Sequence, residues 1–322
     1  MTNLQRMLAV VPPPRISLRE AFDKRLGRLS SGPFQSVSPA LLCHYTSMEG
    51  LSGILRQQRF RATDHHDVAD KGELGAAEGR IDAVLTDLAS SASKDGRDVL
   101  AEFHKFYSNR RLRDYVTIYL SCFTSRRDEL FHWQEFCPSG GACLVLRALP
   151  DEKPPDTYRG QKLGRSAHEV VYVESVWSER LLHGFAGVLA EYERCRTEAD
   201  LWGFSFEARR AAIVHMALVA SYAGVSSKRA KYSPEVEWRW IALAHDRRGS
   251  LDVQERDGKR FLPLRFRPEG RMFDLEELIV WGPDAVSLSA DATDVLVDSG
   301  YSAGNPPVRQ SIHAFAARQT QM

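Results

Sequence analysis

The sequence has almost no excess charge of either sign: 43 Lys and Arg stand against 42 Asp and Glu, leaving +1 before histidine is counted. A protein that grips a duplex by neutralising phosphates over its whole surface carries a clear basic excess, so uniform, sequence-independent nucleic-acid binding is excluded and a local basic groove is the most that remains. Long apolar runs are missing too. No stretch approaches the roughly 20 residues that span a bilayer as a helix, and the apolar Met7 to Val11 is too short for a secretory signal and runs straight into Pro12-Pro13-Pro14. The expectation is a cytoplasmic protein with no membrane partner. The five cysteines (Cys43, Cys122, Cys137, Cys143, Cys195) are odd in number, lack CxxC spacing and sit mostly in apolar runs such as LLCHY and GACLVL. Buried free thiols in a reducing compartment fit this better than a disulfide framework or a zinc site.

Several catalytic signatures are likewise absent. Gly140-Gly141 lacks the flanks of a GxGxxG or Walker loop, Ser121 has no GxSxG elbow around it, and His65-His66-Asp67 with Asp70 and Glu73 has no HExxH spacing. Adjacent histidines on an extended chain point apart, so this segment does not make a metal cluster and no metal is expected.

What is present is ordinary globular usage, 43% hydrophobic and 26% charged. Residues 1–39 carry the proline cluster, a short helical segment at Leu18 to Leu29 and a Ser/Gly/Pro linker, and are read as an arm. From Ala40 to about residue 316 the pattern predicts one α+β domain, with 317–322 as a tail. ALLCHYTS reads as a strand entering a helix capped by Thr46 and Glu49, followed by a strand at Arg59 to Thr63. A helical stretch covers Glu78 to Tyr107, with a break near Asp95-Gly96, and looks like an insertion at about 78–108. Further strands are expected at Tyr115 to Thr124, Gly141 to Arg147, Glu169 to Val176, Glu235 to Ala244 and Leu278 to Trp281, and a hairpin turning at Asp257-Gly258. Helices are expected at Arg126 to Phe136, across Trp177 to Ala223 with a break at Leu201 to Phe206, and at Ser287 to Ser299, before a last strand around Val308 to Phe315. The order lacks a βαβ rhythm, which favours a mixed α+β fold over a doubly wound sheet.

Three segments carry candidate chemistry. In YSPEVEWRW, a strand would put Glu235, Glu237 and Arg239 on one face and Val236, Trp238 and Trp240 on the other, giving a charged face on an anchored strand. A solvated edge strand is the competing reading. His44-Tyr45-Thr46 ends a strand at a helix start, where ring nitrogens and backbone N–H groups are exposed together and suit a ribose or phosphate; a hydrogen-bonded core histidine is the alternative. Ser121-Cys122-Phe123-Thr124 places a hydroxyl and an aromatic ring on one face at a strand end, or is simply an ordinary strand end.

The ordered blocks CHYTSMEGLSGIL, RFRATDHHDVADKGE, YLSCFTSRRDELFHWQEF, GGACLVL, KYSPEVEWRWIAL, ELIVWGP and VRQSIHAF resemble a widespread bacterial family known only as a domain of unknown function. Its members share an HYT strand, an SF[ST] strand followed by a Trp-bearing helix, and an E-x-E-aromatic-R strand. The resemblance covers Leu41 to Phe315. One departure is Ala69-Asp70-Lys71-Gly72-Glu73, which stands where the family has an Asn-Asp-Pro-x-x-Glu-like turn. More remotely, the layout is similar to the ADP-ribosyltransferase superfamily.

That second resemblance implies split central β-sheets with flanking helices, and NAD as substrate without a metal. It implies Glu237 as the carboxylate that stabilises the oxocarbenium-like state at the nicotinamide ribose, and Glu235 as the group that orients or deprotonates the acceptor. His44 and Thr46 would hold the distal ribose, Tyr45 or Phe123 would stack on nicotinamide, and Ser121 and Thr124 would shape its pocket. Arg239 and Lys231 would meet a carboxylate or the pyrophosphate. The expected activity is ADP-ribosyl transfer to a macromolecular acceptor, protein or nucleic acid, as a toxin or phage-defence effector with an antitoxin or defence-system partner. Two alternatives stand beside it: a non-catalytic module sensing a nucleotide, nucleic acid or protein, and an NAD glycohydrolase that uses water as acceptor.

Overall fold

The computed structural model describes residues 15–34, 40–65, 67, 72–108, 117–148, 164–203, 205–244, 253–265 and 273–313. The chain mixes α and β structure, and its contacts divide it into two compact units, where the sequence suggests one domain with an insertion. One unit draws on Met1–Phe34, Gly72–Asp114 and Val173–Ser227, the other on Gln35–Lys71, Tyr115–Tyr172 and Lys228–Met322.

The first unit is helical. It holds α1 (Arg15–Ser31), α3 (Gly72–Ser91), α4 (Lys94–Ser108), α6 (Glu174–Trp202) and α7 (Ser205–Val225). Helix α7 is apolar nearly all round, with Ala212, Ile213, Met216, Ala217, Val219 and Ala220 buried, and α1, α3, α4 and α6 pack against it. An all-round apolar helix needs such a central place. Its small residues let neighbours come close; a Cβ on Gly184 of α6 would lie 2.7 Å from Val219. The segment read as an N-terminal arm is therefore part of this unit through α1, whose Phe22 and Leu26 are buried. The Glu78 to Tyr107 stretch is two of its helices, α3 and α4.

The second unit is built on one open, mixed sheet. Its strands are β1 (Leu41–Thr46), β2 (Arg59–Asp64), β3 (Thr117–Thr124), β4 (Gly141–Ala148), β5 (Gly164–Glu169), β6 (Glu237–Ala244), β7 (Gln254–Arg256), β8 (Lys259–Arg265), β9 (Phe273–Trp281) and β10 (Val308–Gln310). The order is β10-β9-β4-β1-β3-β2-β8-β7, with β6 on the second edge of β3 and β5 beyond it. Among the described residues only the pairing of β10 with β9 is parallel. Helices α2 (Met48–Gln57) and α8 (Ala285–Asp298) cover one face, where Leu51, Leu55 and Leu296 meet Phe60, Tyr119, Phe123, Trp238 and Trp240. The short α5 (Leu130–Phe136) covers the other, with Trp133 against Cys43, Tyr45, Cys143 and Trp281.

The edge of β3 is the unusual part. Strand β6 pairs with all of it, from Thr117↔Ala244 to Thr124↔Glu237. The opposite edge is shared: β2 takes Tyr119 and Leu120, and β1 meets only Thr124. Between them, at Ser121 to Phe123, β1 and β2 diverge and the ladder opens into a fork.

Three local expectations are corrected. Ser47, not Thr46, caps α2, its Oγ accepting from the Gly50 N–H at 3.1 Å, while Thr46 completes β1 in register with Ala142. The strand expected over Glu169 to Val176 ends at Glu169, and α6 starts at Glu174; Val170 and Val171 are still buried, but Val173 and Val176 are exposed, so no buried face continues to carry a strand. Glu235 is not on a strand. It ends a 3₁₀ turn, Ala230–Glu235, and Val236 takes a left-handed conformation (φ 43°) before β6 begins. The Asp257-Gly258 hairpin forms as the sequence suggests, both residues having positive φ.

The last strand is fastened by one buried acid. Asp128, itself at φ 54°, accepts hydrogen bonds from Trp133 Nε1 (2.9 Å), Ser311 Oγ (2.5 Å), Arg309 (2.8 Å) and the Ile312 N–H (3.1 Å). Burial pushes its carboxyl up, but the bonds from Ser311, Arg309, Trp133 and Ile312 outweigh this and hold it below 3.8. Its contribution is present above that pH and is lost as pH falls through the lowered value. Asp128→Ala is expected to cost about 3 kcal/mol in denaturant titration, with the difference from wild type shrinking on acidification below pH 3.8.

Candidate functional site

The fork and the strained turn before β6 lie at the same end of β3. Where β1 leaves β3, the Cys122 carbonyl loses a ladder partner, and the His44 ring replaces it, with Nδ1 3.1 Å from that oxygen. A carbonyl only accepts, so Nδ1 carries the proton and Nε2 is left as an acceptor. Burial lowers the imidazole below its ordinary pKa, opposed by the Cys122 carbonyl, which favours the neutral ring. Phe60 and Phe123 stand against it, at 5.2 and 5.7 Å between ring centres.

On a strand, alternate residues share a face. The pairs Cys122↔Arg239 and Thr124↔Glu237 therefore put those four side chains on one side of the sheet, while Ser121 and Phe123 share the other with Trp240 and Trp238. Arg239 and Glu237 are 3% and 5% exposed and form a two-point pair, Nε to Oε1 at 2.8 Å and NH2 to Oε2 at 3.2 Å. Lys228 Nζ then bridges the two acids, at 3.0 Å from Glu237 Oε2 and 2.6 Å from Glu235 Oε2. The result is two carboxylates and two cations in one alternating cluster. Burial pushes the Glu237 carboxyl up, but Arg239, Lys228 and the Cys122 thiol hold it at about 2. Lys228 is raised above its ordinary value because the two acids outweigh its desolvation. Cys122 is raised well above its ordinary value, first by desolvation and then by the Glu237 charge. Among the five cysteines it alone is exposed, so the cluster is open to solvent beside it.

Sequence reasoning thus finds Glu235, Glu237, Arg239 and Thr124 together, with Glu235 arriving through Lys228 and the turn instead of a shared strand face. It places Ser121 and Phe123 on the wrong side for Glu237, because strand alternation carries Cys122 to that face. Tyr45 is engaged elsewhere: its hydroxyl donates to the Arg126 carbonyl and accepts from the Glu129 N–H, and its ring stacks on His132. Thr46 is half-buried at the close approach of β1 to Gly50 and Gly141, where an added Cβ would lie 2.1 Å from Thr46 Oγ1 and 2.3 Å from the Thr46 carbonyl. Lys231 is exposed and lies over the Tyr232 ring at 4.6 Å.

Three participants are not among the residues that the sequence singles out. Lys228 lies outside the E-x-E-aromatic-R block, Tyr172 reaches in from after β5 to accept the Glu237 N–H at 2.9 Å, and His132 on α5 bonds the Glu235 carbonyl at 2.8 Å. Among the described residues no group of three or more His, Cys, Asp or Glu side chains is arranged to hold a metal. No family model matches the chain, and neither the curated proteins nor the solved structures contain a match.

The pairing of Glu237 with Arg239 makes a double-mutant test direct. Glu237→Gln and Arg239→Met are each expected to cost about 3 kcal/mol in denaturant titration, because each strands a buried charge. The double variant should fall short of the sum by about 1 kcal/mol or more. In wild type the Glu237 contribution is full above pH 4.5 and fades as pH falls toward about 2.

Proposed function

We propose that the protein is an NAD-dependent ADP-ribosyltransferase acting through Glu237. The observation that carries this reading is the convergence of Glu235 and Glu237 at the end of β3, beside an exposed Cys122 whose carbonyl holds His44. An ionised carboxylate fixed beside the nicotinamide ribose stabilises the positive charge that develops as nicotinamide departs with the glycosidic electron pair. An acceptor lone pair then forms the new bond to C1′, and Glu235, half-buried at the turn, takes the acceptor proton. The Nε2 of neutral His44 suits the hydroxyls of the distal ribose, which are hydrogen-bond donors. Lys228, a cation on a flexible stem, is the group the pyrophosphate would draw away from the two acids. The remote sequence resemblance to the ADP-ribosyltransferase superfamily supports this reading; the strands form one sheet, forked at β3, where that resemblance implied split sheets. A toxin or phage-defence role with a macromolecular acceptor belongs to this reading.

A second reading is favoured by the same cluster. Glu237 is neutralised twice, by Arg239 and by Lys228, as a purely structural clamp would be. In that case the unit is a nucleotide- or partner-binding module without catalysis.

Purified protein incubated with labelled NAD and a bacterial extract separates these readings. Transfer of label to a macromolecule, lost by at least about a hundredfold in a folded Glu237→Gln variant, is the expected outcome. Nicotinamide release without transfer identifies a glycohydrolase, and neither binding nor consumption of NAD leaves the non-catalytic module.

A further inference from the structure

His132 presents a physical problem that its surroundings do not solve. It is 1% exposed on α5, its ring stacked on Tyr45 at 5.1 Å and flanked by Phe131 and Phe136. Its Nε2 lies 2.8 Å from the Glu235 carbonyl, which only accepts, so Nε2 carries the proton. The lone pair on Nδ1 is then buried with no hydrogen-bond partner. A phenylalanine would fill the same aromatic niche without the cost of burying an unsatisfied polar atom. Buried unsatisfied groups that persist concentrate where position matters more than stability.

The carbonyl that His132 holds is the one that matters for the site. It precedes Val236, a β-branched residue at φ 43° and ψ 52°, a conformation such residues avoid. Three contacts from different elements pin this turn. His132 and the Thr124 hydroxyl (2.9 Å) converge on the Glu235 carbonyl, and Tyr172 takes the Glu237 N–H. With the turn pinned, the Glu237 side chain lies against Arg239 and Cys122. A relaxed Val236 would carry Glu235 and Glu237 to a different register.

We propose that His132 is a positioning residue: its Nε2–H holds the Glu235 carbonyl so that the strained Val236 turn keeps the Glu237 carboxylate beside Cys122 and Arg239. The proposal depends on the functional reading above only in giving Glu237 a reacting role; the positioning itself is testable without NAD.

Cys122 reports on it, as the exposed thiol next to Glu237. The rate of iodoacetamide alkylation is followed against pH, with Cys122→Ser to confirm the signal and Glu237→Gln to define the profile without the charge. His132→Phe keeps the ring and removes the donor, and is expected to alkylate about threefold faster than wild type at pH 8, toward the Glu237→Gln profile. His132→Gln, which returns an N–H at similar reach, is expected to restore the wild-type profile. A folded His132→Phe protein with the wild-type profile overturns the proposal. A measurement on the unaltered protein decides the matter should that variant not fold: nitrogen NMR of the histidines is expected to show His132 as the neutral Nε2–H form at pH 7, and an Nδ1–H form or an imidazolium overturns the proposal. If wild type consumes NAD, His132→Phe should lower kcat and leave KM within about twofold, the mark of a loss confined to the transition state. If it consumes none, the functional reading fails while the thiol profile still decides the role of His132.

Discussion

The sheet unit depends on one constraint: β3 has two edges and three neighbours. Strand β6 occupies one edge completely, so β1 and β2 must share the other, and they separate at Ser121 to Phe123. A backbone carbonyl left without a ladder bond must find another donor, and His44 meets that demand at Cys122. The same residue offers its thiol on the opposite side to Glu237. Cys122 is therefore the point at which the fork and the charge cluster are joined, one through its backbone and the other through its side chain.

The cluster itself shows how buried charge is tolerated. An isolated carboxylate at the burial of Glu237 would take up a proton; here a guanidinium with two-point geometry and an ammonium keep it ionised. Such a network adds little net stability compared with apolar packing, but it is expensive to break by halves. Its use is to fix orientation. Arg239 is locked on a strand and Glu237 stands at the first residue of that strand, while Lys228 comes from a loop between the end of α7 and the 3₁₀ turn. Of the two cations, Arg239 belongs to the sheet and Lys228 does not.

Much of this architecture was legible in the sequence. The apolar runs of β1, β3, β4 and β6, the helix pair broken near Gly203 and the Asp257-Gly258 turn follow from local pattern, because each agrees with its own tertiary surroundings. The misses have specific causes. Val236 reads as a strand residue by its β-branching, yet tertiary hydrogen bonds from Thr124 and His132 hold it left-handed. Ser121 was a natural choice by residue type, but its register with Trp240 turns it toward the apolar core and brings the thiol of Cys122 to the charged face. The helical unit gathers three separated stretches of chain, a union that long-range packing decides and no local motif announces.

The central claim is that Glu237 and His44 address the two riboses of one dinucleotide from either side of Cys122. A crystal structure of the protein with a non-cleavable NAD analogue tests it most directly. The account predicts the nicotinamide ribose within hydrogen-bond distance of the Glu237 carboxylate, the adenosine ribose at His44 Nε2, and Lys228 moved from Glu237 toward the pyrophosphate. An analogue bound elsewhere, with the Lys228, Glu235, Glu237 and Arg239 contacts unchanged, would contradict it.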